Sequence, residues 1–166
     1  MLQPVVRRTW APRGRTPIHY SWARHDRLSV ISGLTISSRR RHLGLRFRVH
    51  DDNVRHAEVM RFLRAVRREL GTDLTVILDR LNAHRTAARK LQERHPSGFR
   101  FEWLPPYAPD INPVELVWGH AKYADMANFI PDDVRHLDRV MRRSLRRTSS
   151  DQGLLCSFVR HAKLSL

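Results

Sequence analysis

Two acids in this chain stand where a fold could bring them together. Asp79 closes the run "LTVIL", a carboxylate at the end of an otherwise apolar segment, and Glu115 sits in "DINPVELVW", three residues after Asn112. Carboxylate oxygens suit Mg²⁺ or Mn²⁺. Two such ions about 3.5–4 Å apart can clamp the attacking and leaving oxygens of an in-line displacement at phosphorus. Each acid also has an ordinary explanation. A polar residue ending a strand is commonly a turn or cap residue. A glutamate three positions after an N-cap commonly closes a capping box by accepting the cap's amide. One helix and one strand lie between the two acids, and a path of that kind returns the second helix's start beside the first strand's end.

The elements that must position them are legible from periodicity. Residues 1–20, rich in Pro, Gly and Arg, read as loop with an edge strand. Alternation and β-branching predict strands over 27–37 and 42–50, joined as a hairpin. The segment 51–70 carries Val59, Phe62, Leu63 and Val66 at i, i+3, i+4, i+7, which predicts an amphipathic helix capped at Asp52 or Asn53. The continuous apolar run 74–79 predicts a strand buried on both faces. A helix over 86–94 and a strand over 99–104 follow. After the proline-rich loop, Asn112 as N-cap and Pro113 at the first helical position start a helix over 112–129. Helices over 131–147 and 154–161 complete the chain. A hairpin feeding alternating helices and strands predicts an α/β fold with a mixed sheet flanked by helices, in one domain spanning 1–166. Sites in such sheets form at the carboxyl ends of parallel strands, where Asp79 stands.

Composition narrows the partner. The chain has 166 residues, 41% of them hydrophobic, with a formal charge of +15. Lysine occurs only at Lys90, Lys122 and Lys163, so all but three of the 31 basic residues are arginine. Guanidinium forks bind phosphate in bidentate fashion, which points to nucleic acid or another polyanion. The single cysteine, Cys156, excludes an internal disulfide and a multi-cysteine zinc site, and reads as a small core residue. No apolar run reaches transmembrane length and no signal-peptide core opens the chain, so a soluble, intracellular protein is expected. His50 and His56, flanking Asp51 and Asp52, lack helical i+4 spacing and read as solvated turn residues. Trp118 reads as packing its helix onto the sheet. Arg142, Arg143, Arg146 and Arg147 form two pairs four apart, either a solvated face or a phosphate contact.

"VILDRLNAHRT" followed by "LPPYAPDINPVELVWGHAK" resembles the DDE transposases of bacterial insertion sequences in the mariner superfamily. The resemblance extends upstream to "RRTWAPRGRTP" and downstream to "ANFIPDDV". It implies a ribonuclease-H-like catalytic domain and a two-ion Mg²⁺ or Mn²⁺ site. The implied activity is DNA strand cleavage and strand transfer in transposition, with transposon ends and target duplex as partners. Carried over by position, Asp79 matches the family's second catalytic acid and Glu115 its third. His84, Asn112, Pro113, Trp118 and Lys122 match surrounding positions; His84 and Lys122 are expected to contact DNA, alongside Arg142, Arg143, Arg146 and Arg147 if that stretch is the phosphate contact rather than a solvated face. The family often has Asn directly after the Asp; here Arg80 follows and Asn82 comes later. A bacterial cytoplasmic, nucleoid-associated location follows from the same resemblance.

The family's first catalytic Asp lies on a central strand just upstream of the segment resembling "LQPVVRRTWAPRG". Asp26, Asp51 and Asp52 fit turn or cap roles better than that one. The expectation is therefore two of three metal ligands, with the first central strand and the N-terminal DNA-recognition domain missing, and no cleavage by the chain alone. A homodimer or a separately encoded N-terminal part would then supply the rest. The alternative is a catalytically dead DNA-binding remnant using the same basic surface.

Overall fold

β1 (Ser29–Ile36) and β2 (Leu43–His50) form the predicted antiparallel hairpin, in register from Ser29↔His50 to Ile36↔Leu43. They belong to a computed structural model that describes residues 8, 10–15, 28–37 and 42–164. The edge strand expected within 1–20, and Asp26, lie outside the described residues apart from stretches of 8–15 without strand structure. Among the described residues the architecture is mixed α/β, with five helices and two small sheets. α1 (His56–Leu70) follows the hairpin, then β3 (Leu74–Leu78), α2 (Asn82–Arg94) and β4 (Phe99–Trp103). β3 and β4 pair in parallel, from Leu74↔Phe99 to Leu78↔Trp103. A 3₁₀ turn, Pro109–Ile111, leads into α3 (Pro113–His120). A π-helical turn, Ala121–Asp125, then precedes α4 (Val134–Ser150) and α5 (Gln152–His161).

Side-chain alternation distributes the hairpin between two cores. One face sends Leu43 and Leu45, with Val30, Leu34, Phe47 and Val49, against Val117 of α3, Met141 and Leu145 of α4 and Leu155 of α5. The other face gives Ile31 to a cluster with Val59, Phe62, Leu63 and Val66 of α1 and Leu91 of α2. Leu74, Val76, Phe99 and Phe101 of the parallel pair pack on that same cluster, so α1 covers both sheets. Fully burying each such aliphatic side chain contributes about 1.5–3 kcal/mol.

The expected mixed α/β arrangement is present, and two details of its elements, the burial of β3 and the cap of α1, are corrected. β3 is not buried on both faces: Thr75 and Ile77 point away from α1 and α2, and Ile77 is 59% exposed. The apolar run is continuous, but only one face has helices to pack against. Antiparallel and parallel pairs form two separate two-stranded sheets, with β1 and β3 not hydrogen-bonded to each other among the described residues. α1 is capped at Arg55, not Asp52 or Asn53, because the Arg55 N–H donates to Glu58 Oε2 at 2.9 Å. The α1 helix stops at Gly71, whose φ of +64° is the left-handed conformation that glycine adopts without steric cost.

Candidate active site

Parallel pairing sets the position of both acids. β3 and β4 end side by side, tied beyond their ladder by the Leu104 N–H donating to Leu78 O at 2.9 Å. Asp79 is the first residue after β3. The chain leaving β4 runs through Pro105 and Pro106, turns at Tyr107 and re-enters helix at Pro113, which returns Glu115 toward the strand ends. Asp79, Arg80, Leu104, Tyr107, Asn112 and Glu115 line one cleft of about 180 Å³. The two acids thus share a single concavity, as the strand–helix–strand–helix path predicts.

Their hydrogen bonds show which cap contacts are made. Asn112 caps α3, its Oδ1 accepting the Val114 N–H at 3.2 Å. Its own N–H donates to Pro109 O at 2.9 Å within the 3₁₀ turn. The amide that a capping-box glutamate would bond is therefore already satisfied, and Glu115 leaves its carboxylate exposed and without a partner among the described residues. Asp79 is held at one oxygen only: Oδ1 accepts the Leu81 N–H at 3.1 Å and the Nδ1–H of His84. Oδ2 has no hydrogen-bond partner among the described residues, and Asp79 lines the cleft. His84 sits one turn into α2, with its ring mostly buried.

A family model fits this arrangement, matching residues 1–138 and so spanning both acids and every element up to the first turn of α4. The chain belongs to the DDE superfamily endonucleases. No curated protein and no solved structure gives a match. Membership makes DNA cleavage of the nuclease or transposase type the family's chemistry and DNA its substrate. Members of the DDE superfamily generally use divalent metals. The donor types here suit such an ion: two carboxylates, Asp79 and Glu115, line one small cleft, with Asp79 also bonded to His84. Mg²⁺ is commonly bound by one or two carboxylates, with waters and substrate phosphates completing the shell. Among the described residues no group of three or more His, Cys, Asp or Glu is placed to hold a metal ion. Asp51 and Asp52 are exposed in the bend between β2 and α1 and do not line the cleft.

The remaining predicted residues fall in several places. Lys122 lies on the π-helical turn, two turns or about 10 Å along the axis from Glu115, and does not line the cleft. Arg142 donates to both oxygens of Asp138 at 2.8 and 2.9 Å, and Arg147 pairs with the nearly buried Asp125. Arg143 and Arg146 remain exposed on α4, so the four do not act as one free basic face. Trp118 and Cys156 pack against the α3–α5 core. His56 contacts Lys90 at 3.1 Å, and His50 ends β2 with Nε2 buried, so neither is a solvated turn residue.

Two residues of the cleft escape pattern reading. Arg80 donates from Nε to Leu104 O at 3.0 Å and pins the start of the proline loop to the end of β3. Tyr107 stands fully exposed at the loop's tip with φ +55°, a left-handed conformation uncommon for a bulky side chain. Arg80 was visible as the departure from the family's Asp–Asn pattern; nothing in the sequence marks Tyr107's backbone.

Proposed function

We propose that this chain is the catalytic domain of an insertion-sequence transposase, performing metal-dependent strand cleavage and strand transfer on DNA. The observation that supports it is that Asp79 and Glu115 line one cleft, with the Asn112 amide that a capping-box glutamate would bond already donating to Pro109 O. Asp79 Oδ2 and Glu115 are the residues that would hold Mg²⁺ or Mn²⁺. A bound divalent ion supplies charge neutralisation at the phosphate and lowers the pKa of bound water. The chain's own contribution is placement. His84 and the Leu81 amide orient the Asp79 carboxylate, so that little conformational freedom is lost when a cation arrives. Arg80 holds the β4 exit, and with it the loop that sets Glu115. The flanking arginines neutralise substrate phosphates.

In this reading 1–166 is one domain, and the strand bearing the family's first acid would lie between its two sheets. It is supported by the unpaired edges that β1 and β3 keep among the described residues, and by their common cover, α1. The second reading is a DNA-binding remnant without cleavage. The absence of a third ligating residue beside the two acids, among the described residues, favours it. Incubation of supercoiled DNA and Mn²⁺ with the chain extended by an upstream strand bearing the family's first Asp separates them, since the 166 residues alone are expected not to cleave. Nicking that is lost in Glu115→Gln supports the transposase. Duplex binding with no nicking under the same conditions supports the remnant.

A further inference from the structure

A second, larger cleft of about 890 Å³ lies on the far side of the parallel pair. Its floor includes the Gly71–Asp73 turn that precedes β3 and Phe99, which opens β4, so it sits at the amino ends of the strands whose carboxyl ends carry the acids. Five residues of β3 separate the two sites by about 16 Å. Its walls are basic: Arg61, Arg64, Arg67 and Arg68 from α1, and Arg48 from β2. Two of these are matched, Arg61 by Glu58 and Arg67 by Asp73. Arg48, Arg64 and Arg68 are exposed and have no carboxylate or hydrogen-bond partner among the described residues.

The usual reading of such a stripe is the solvated side of an amphipathic helix. Shape and preorganisation argue otherwise. Arg48 comes from another element and turns the stripe into a concavity. Arg67 is fixed in place, bonded to Asp73 at 2.8 Å and lying 5.8 Å from the Phe99 ring centroid. Gly98 permits that seat, since a Cβ there would stand 2.8 Å from the Arg67 guanidinium carbon. Arg61, Arg64 and Arg68 recur at i, i+3 and i+7, a row about 10 Å long, comparable to three nucleotide steps of about 3.4 Å. Of the cleft's arginines, Arg48, Arg64 and Arg68 have no counter-charge among the described residues, which favours a polyanion whose charges are spaced along the row.

We propose that this cleft is a second DNA grip, in which Arg48, Arg64 and Arg68 bind the sugar-phosphate backbone of a duplex without reading bases. It is remote from the Asp79–Glu115 cleft and does not depend on those acids holding a metal. The test is an anisotropy titration of the 166-residue chain with duplex DNA of arbitrary sequence across a range of salt. In the triple variant Arg48→Gln, Arg64→Gln, Arg68→Gln, the slope of log affinity against log salt should be shallower by about 2.7, at about 0.9 per lost phosphate contact. A fourfold rise in salt would then cost the variant about forty-fold less affinity than it costs the wild type. The corresponding triple lysine variant should keep the wild-type slope, and Mn²⁺ binding should be the same in all three proteins. Should the triple glutamine variant fail to fold, Arg64→Gln alone should reduce the slope by about 0.9. An unchanged slope in either glutamine variant overturns the proposal. Loss of poly-glutamate binding with the DNA slope intact also overturns it, in favour of an acidic protein partner.

Discussion

At Asp79 and Glu115, the sequence offered residue types and order but not roles. The spacing Asn112–Glu115 is that of a capping box, and only the bond from Asn112 N–H to Pro109 O shows that the box is not made. That bond depends on the 3₁₀ turn Pro109–Ile111, a detail that residue pattern does not encode. His84 follows the same logic: its type and position suggested a neighbour of the acid, while its hydrogen bond assigns it an orienting contact. His84→Ala should therefore weaken Mn²⁺ binding less than Asp79→Asn does, because it removes an orienting bond and leaves the ligand. Titration calorimetry on both variants checks the order; equal or greater loss in His84→Ala would make His84 a ligand in its own right. For Glu115→Gln, thermal melting without metal should match the wild type, since no fold contact is lost.

Element by element, periodicity located the four strands and five helices present among the described residues, yet missed how ends are capped and what covers each face. Ile77 illustrates the second limit: an apolar run reads as buried, but burial needs a covering layer that lies elsewhere in the chain. The α1 cap illustrates the first and gives a pH prediction. The Arg55 N–H bonded to the Glu58 carboxylate holds its pKa below the ordinary 4.5, with help from Arg61 and His50. A depressed folded pKa contributes stability that is present above the unfolded value and is lost as pH falls through the folded one. Acid melting curves of the wild type should thus lose stability below about pH 4.5 more steeply than those of Glu58→Gln. Parallel curves would show that the cap carries no charge-dependent stability. Leu145, fully buried where α4 meets the hairpin, sets the larger scale: Leu145→Ala should cost about 2–5 kcal/mol in urea denaturation, and a loss under about 1 kcal/mol would contradict the packing described.

For the whole molecule, net charge was the plainest signal and distribution the hidden one. A formal +15 predicts a polyanionic partner, but not that Arg142 and Arg147 would be tied to acids while α1 and β2 build a concave basic surface. Helical periodicity marks Arg61, Arg64 and Arg68 as a polar stripe; only the placement of Arg48 and the Gly71–Asp73 turn gives that stripe walls. Duplex affinity of the whole chain should fall steeply with salt and vary little with sequence. A salt-insensitive interaction would remove phosphate contact as its basis.

The central claim, that Asp79 and Glu115 jointly hold a divalent cation, is tested most directly by calorimetric titration of Mn²⁺ into the wild type, Asp79→Asn and Glu115→Gln. The account predicts measurable binding by the wild type and clear weakening in each variant, with the fold of each intact by circular dichroism. Equal Mn²⁺ binding by all three proteins would contradict it and return Asp79 to a strand-ending turn residue and Glu115 to an uninvolved position in the first turn of α3.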